Sequence, residues 1–234
     1  MQSPFANMPP VVKNLLIVNI IFYIATFALK SVFSMVGYMS AFYFNSPLFH
    51  PWQVITYMFM HDPNSIMHIL FNMFALYSFG PMLEYAMGSK KFFNFYFIAG
   101  IGGLVLHQLV QGLEVHNAIG SFIMTNENMS AASYDAVMKV KDIYGTPILG
   151  ASGAIFGVLV GFGMLFPNLE MMIMFIPVPI KAKYIIPVYV VLELFMGVKQ
   201  FSGDSVAHFA HLGGALFGFL LIKLWGVKRP NNFY

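Results

Sequence analysis

Residues 148–166 read "ILGASGAIFGVLVGFGMLF". The stretch carries no charge, and at ~1.5 Å of rise per residue it matches the ~30 Å of hydrocarbon that a helical span must cross. Gly153, Gly157 and Gly161 recur every four residues and clear one face of the helix. Small residues at that spacing let two helix backbones approach closely in lipid. Near its start stands a hydroxyl, Ser152, between Gly150 and Gly153. The fold follows from taking this stretch as a membrane span; the function turns on why a serine stands there.

The rest of the chain agrees with a membrane setting. Of 234 residues, 59% are hydrophobic and only 9% charged, with a mean hydropathy of +0.73. Soluble domains carry roughly 25% charged residues. There is no cysteine, which excludes disulfides. A net charge of +3 is too small to point to nucleic acid. Five further stretches are apolar: Val11–Leu29, Ile66–Met87, Phe92–Val110, Tyr184–Val198 and Ala207–Trp225. The expected fold class is therefore all-α, a polytopic bundle of six transmembrane helices in one domain over 1–234, with short polar tails at 1–10 and 228–234. The first stretch reads as a retained span rather than a cleaved signal. The fifth is the weakest, being short and holding Pro187 and Glu193.

Between the spans, Ser31 to Ser65 is aromatic and free of Lys and Arg, which suits a loop lying in the interface. In the polar segment Leu113 to Pro147, "ASYDAVMKVKDIYG" predicts a short surface helix. Met171 to Ile180, broken by Pro177 and Pro179, is too short to cross and reads as a tight turn near the surface. With the N-terminus inside, eight basic residues fall on the inner side and four on the outer. Basic residues favour the cytoplasmic side, so both termini are expected there, in the cell membrane.

This topology brings polar groups to one depth. Ser152 and His211 each lie about one turn into spans running the same way, and His68 and Asn72 share a face at the outer end of the second span. Polar side chains in a membrane are costly and mark a bundle interior or a water-filled cavity. A hydroxyl and an imidazole at one depth can form a nucleophile and its base. On the residues alone other readings stand beside this one: a helix-packing protein, a transporter with Glu193 as its ionisable group, or a metal or haem site on His208 and His211. Against the last stand the lack of an HExxH motif and of any carboxylate near His211 except loop residue Asp204. His50 and His61 read as interfacial residues.

On these residues the chain resembles the rhomboid intramembrane serine proteases over most of its length. "GASGAIFG" resembles the family's G-x-S-G motif, "AHFAHLGGALFG" its histidine span and "HILFNMF" its H-x-x-x-N motif. "MLEYAMGSKKF" is similar to the Glu and Gly-Ser turn after the second span, and "WQVITYMFMH" to the first-loop element. The resemblance implies a serine endopeptidase whose substrates are single-pass proteins in the lipid bilayer, with no metal or cofactor. It implies Ser152 as nucleophile and His211 as general base, a dyad with no acidic third member. It implies His68, Asn72 and the Ser152 backbone N–H as the oxyanion hole, Gly150 as room for the substrate backbone, and Phe156 as a stacking partner of His211. Glu84 would be structural. Two departures are Gln53, where the family often has Arg, and Phe156, where some members have Tyr. Loop 197–205 or span 184–198 is expected to act as the gate.

Overall fold

The computed structural model describes residues 8–173, 176–199 and 206–229. The helices run, in chain order, α1 (Pro10–Ala28), α2 (Met35–Met39), α3 (Gln53–Thr56), α4 (Ile66–Met87), α5 (Ser89–Ile119), α6 (Asn126–Ala131), α7 (Tyr134–Gly145), α8 (Ser152–Leu165), α9 (Ala182–Lys199) and α10 (His208–Leu224). The six expected spans are α1, α4, α5, α8, α9 and α10. Of the described helices, α1, α4 and α5 are long and apolar enough to cross a membrane by themselves, while α8 and α10 are shorter apolar helices. α9 is eighteen residues long but carries Lys183, Glu193 and Lys199. The outward faces are apolar too: Ile20, Ile21 and Ile24 of α1 and Val188, Val191 and Leu194 of α9 are exposed. Helices apolar on all sides belong in lipid or in a large core.

α10 is the hub, packing most extensively against α5 and α8, while α4 joins through α8 and α1 through α4. Glycines set the closeness. A Cβ on Gly214 would lie 1.8 Å from the Gly153 carbonyl oxygen, and one on Gly218 would lie 2.6 Å from Gly157 Cα. The four-residue ladder on the serine span thus meets its counterpart on the histidine span, backbone against backbone. The C-terminal end of α4 is held by a buried carboxylate. Glu84 accepts from Val11 N–H (3.0 Å) and Val12 N–H (2.8 Å), and from the Ser89 hydroxyl (2.7 Å). This satisfies orphan donors at the start of α1 and fixes the α4–α5 turn.

Several boundaries differ from the sequence reading. The run 171–180 belongs to an antiparallel hairpin, β1 (Glu170–Ile173) with β2 (Ile176–Lys181), pairing Glu170 with Lys181 and Met171 with Ile180. The prolines that exclude a helix are tolerated in a two-stranded hairpin, where each strand has a free edge. α5 reaches Ile119, well past the expected Val110, because Gln108, Gln111 and Glu114 are polar but good helix formers. The expected surface helix is α7, with the Ser133 hydroxyl accepting from Ala136 N–H. α6 was not expected; the Thr125 and Asn128 side chains box its start. The first loop is anchored by Gln53 despite the missing Arg: its Oε1 accepts from His50 N–H, and its Nε2 donates to the Tyr38 and Leu48 carbonyls. Of the expected gate loop, residues 200–205 lie outside the described residues, as do 1–7 and 230–234 of the tails.

Candidate active site

The serine span does not begin as a helix at Ile148. Ile148 instead bridges Ala41 as a short β-pair, with hydrogen bonds of 2.7 and 2.9 Å. Gly150 then takes φ +125° and donates its N–H to the Tyr57 carbonyl (3.0 Å). Such a conformation is strained for any residue with a side chain and cannot continue into a helix. Ser152 is consequently the first residue of α8. The first intrahelical bond runs from Ile155 N–H to the Ala151 carbonyl, so the N–H groups of Ser152, Gly153 and Ala154 have no intrahelical acceptor. The helix start offers donors and a positive dipole end at the serine itself.

His211 lies in the first turn of α10, and its Nε2 is 2.7 Å from Ser152 Oγ. Phe156, one turn into α8, stacks on the imidazole with centroids 4.4 Å apart and planes 8° from parallel. The other ring nitrogen, Nδ1, lies 2.9 Å from Glu193 Oε2. A carboxylate only accepts, so Nδ1 carries the proton and Nε2 is left to accept from the serine hydroxyl. This corrects two sequence expectations. An acidic group does stand behind His211, and it is Glu193 of α9, while Asp204 lies outside the described residues. The sequence reading gives Glu193 as a polar residue of the weakest span and as the ionisable group of a transporter, not as a partner of His211. The signal was nonetheless present: an ionisable residue inside a span needs a partner, and His208 and His211, three apart, share a helix face. Glu193 Oε2 also lies 2.6 Å from His208 Nδ1.

His68 stands opposite. Its Nδ1 accepts from Asp62 N–H at 3.3 Å, which leaves the proton on Nε2. A Cβ at Gly150 would come within 2.9 Å of that Nε2 and 3.6 Å of Ser152 Oγ, so the bare glycine keeps open the space between the imidazole and the serine. Asn72 is held differently. Its Nδ2 donates to the His68 carbonyl at 2.8 Å, and the same nitrogen carries a second hydrogen. The structure therefore brings Ser152, His211, Phe156, Gly150 and His68 to one place and puts Asn72 one turn along α4 from His68. His61 is not interfacial as expected. It is fully buried, edge-on to His68 with centroids 5.2 Å apart, and burial pushes its imidazole down to about 3, so it is neutral. His50 does suit an interface, stacking on half-exposed Trp52 at 4.4 Å. Glu193, His208 and His211 also form a group whose ligand atoms lie within 4.8 Å of one another.

The apolar helix bundle, with a serine at the start of one helix hydrogen-bonded to an imidazole from another, is that of a polytopic helical membrane protein. The Rhomboid domain family model matches residues 48–227, and the chain belongs to the rhomboid family. It is 29% identical over 153 residues to "Rhomboid protein 1, mitochondrial" of Saccharomyces cerevisiae, covering 65% of this chain and 36% of that one. It is 28% identical over 187 residues to "Presenilin-associated rhomboid-like protein, mitochondrial" of Bos taurus, covering 72% and 41%. It is 28% identical over 182 residues to "Rhomboid protease GluP" of Bacillus subtilis, covering 78% and 27%. The chain thus spans less than half the length of these relatives.

Proposed function

We propose that this chain is an intramembrane serine endopeptidase that cleaves single-pass membrane proteins. One observation carries the reading: the 2.7 Å hydrogen bond between Ser152 Oγ and His211 Nε2, on a ring held flat by Phe156. The family and the relative named a protease support the reaction class.

In this reading Ser152 Oγ attacks the scissile carbonyl carbon while its proton passes to His211 Nε2. The carbonyl oxygen takes the negative charge, facing the Ser152 N–H at the α8 terminus, His68 Nε2–H and the second hydrogen of Asn72 Nδ2. The imidazolium gives its proton to the leaving amide nitrogen, and the C–N bond breaks. Water then attacks the acyl-serine, its proton going to His211 and back to Oγ as the acid departs. The substrate strand must be extended at the cleaved bond, so helix-breaking residues there favour cleavage. The names of the relatives divide between mitochondrial rhomboids and a bacterial protease, so the expectation of a cell membrane gives way to the coarser assignment, a membrane. The excess of basic residues supports both termini on one face, with the site toward the other.

A fluorophosphonate or isocoumarin probe should label the parent chain and not Ser152→Ala or His211→Ala. Equal labelling of parent and Ser152→Ala would sink the assignment. A second reading, a metal held by Glu193, His208 and His211, rests on the closeness of their ligand atoms. EDTA decides between them: cleavage of a single-pass substrate that survives chelation favours the serine mechanism, and cleavage that is lost favours the metal.

A further inference from the structure

Serine chemistry as proposed above uses Nε2 of His211 and leaves a charged group behind it without a task. Glu193 is the one acidic residue between Tyr184 and Val198 of α9. Its side chain is only 16% exposed. An ionised carboxylate in such a place is retained only where partners stabilise it. Among the described residues Glu193 has two, and both meet the same oxygen: His208 Nδ1 at 2.6 Å and His211 Nδ1 at 2.9 Å.

We propose that Glu193 is a positioning residue completing a Ser152–His211–Glu193 triad, with His208 steering its carboxylate. The inference rests on the reading of Ser152 as nucleophile. The chain of hydrogen bonds is continuous from Glu193 Oε2 through the His211 ring to Ser152 Oγ. By accepting from Nδ1–H, the carboxylate holds the tautomer in which the Nε2 lone pair faces the serine hydroxyl. When Nε2 takes the serine proton, the positive ring faces a negative oxygen 2.9 Å away. No proton moves to Glu193, and it touches no substrate. His208, roughly perpendicular to His211 at 87°, donates to the same oxygen from the other side and fixes the direction of the carboxylate. Phe156 covers one face of the imidazole and Glu193 holds its edge, so the ring is fixed both in plane and in rotation. A mere clip between α9 and α10 would need only the bond to His208.

The test measures the rate of fluorophosphonate labelling and the thermal midpoint of the purified chain in detergent. Glu193→Gln should slow labelling about tenfold to a hundredfold, because the amide can donate to Nδ1 and so put the ring proton on Nε2, facing the serine. The loss stays below the ~10⁴ of a dedicated, fully buried Asp–His pair, since this carboxylate is shared and partly exposed. Glu193→Asp should recover part of the rate, and His208→Ala, which removes the steering group but leaves the carboxylate beside His211, should fall between the parent and Glu193→Gln. With a single-pass substrate the Glu193→Gln loss should fall on kcat and leave KM unchanged. Parental labelling of Glu193→Gln, with Ser152→Ala blank, would overturn the triad and leave the serine assignment standing. A parent that does not label, or labels as Ser152→Ala does, would overturn both. A readout that needs no Glu193 variant is the imidazole N–H spectrum of the His208→Ala protein. A strongly deshielded His211 Nδ1–H proton is expected there, and its absence would overturn the triad even if Glu193→Gln failed to fold.

Discussion

The two edges of α10 are built on opposite principles. Toward α8 the contact is backbone on backbone, with Gly214 against Gly153 and Gly218 against Gly157 so close that no Cβ fits. Toward α9 the contact runs through the side chains of α10: Glu193 meets His208 and His211, and Gly197 faces the His208 and Phe209 side chains. There the buried residues of α9 are only Ala182, Ile185, Ile186 and Gly197, and Val188, Val191, Leu192, Leu194, Phe195 and Val198 remain exposed. The first edge holds the Ser152–His211 distance, because two backbones in contact cannot slide without a clash. The second delivers Glu193 on a helix with few buried contacts. A reacting pair needs a fixed separation, whereas a group that only orients one member can arrive on a more loosely packed element.

Substitutions on each side break or sharpen this contrast. The largest effect belongs to the tight edge. Gly214→Val should remove labelling altogether and destabilise by about 3 kcal/mol or more, beyond ordinary overpacking, because the obstacle is a carbonyl oxygen rather than a flexible side chain. A well-folded Gly214→Val with parental labelling would show that the seam has slack. Next comes Glu84→Ala, remote from Ser152. It leaves one buried and one partly buried N–H group and a hydroxyl without their acceptor, and should cost about 2–4 kcal/mol in thermal or denaturant unfolding. Its labelling per folded molecule should match the parent; a specific loss of rate would mean that the C-terminal end of α4 communicates with the site.

Asn72→Ala is smaller. Asn72 returns one hydrogen bond to its own helix, so stability should change little. If its second hydrogen serves the oxyanion, kcat should fall about tenfold to a few hundredfold, since one of several donors is lost. Full activity in the folded variant would leave the charge to His68 and the Ser152 N–H. The smallest effect is expected on the loose side. Val191→Ala, on the exposed face of α9, should stay within about 0.5 kcal/mol and label at the parental rate. A large change there would mean that the outward face of α9 is bound by something other than lipid.

The sequence was most informative where one physical demand dominated. The apolar stretches located the helices α1, α4, α5, α8, α9 and α10, although only α1, α4 and α5 meet the length of a full crossing among the described residues, and the pattern failed on boundaries where other forces decided. Hydropathy places Ile148 inside the serine span; the pairing of Ile148 with Ala41 and the positive φ of Gly150 make it extended. Hydropathy ends the third span at Val110; helix propensity carries α5 on to Ile119. The prolines of 171–180 exclude a helix, but the pairing of Glu170 with Lys181 that makes a hairpin is a fact about two strands together.

What the sequence determined by itself is the membrane class, the six spans, the family resemblance and the residues Ser152, His211, Phe156, Gly150 and His68 as one set. Short motifs on single helices carry these, and the 3.6-residue period fixes which side chains share a face. What tertiary structure alone decided is the environment of that set. The serine became a helix terminus because the segment after α1, through Ala41 and Tyr57, pairs with the residues before it. The histidine gained a carboxylate because α9 lies beside α10 with Glu193 turned inward. Spacing along one helix is a local property, whereas the approach of an acid from another span depends on how helices far apart in sequence pack, which no local pattern encodes.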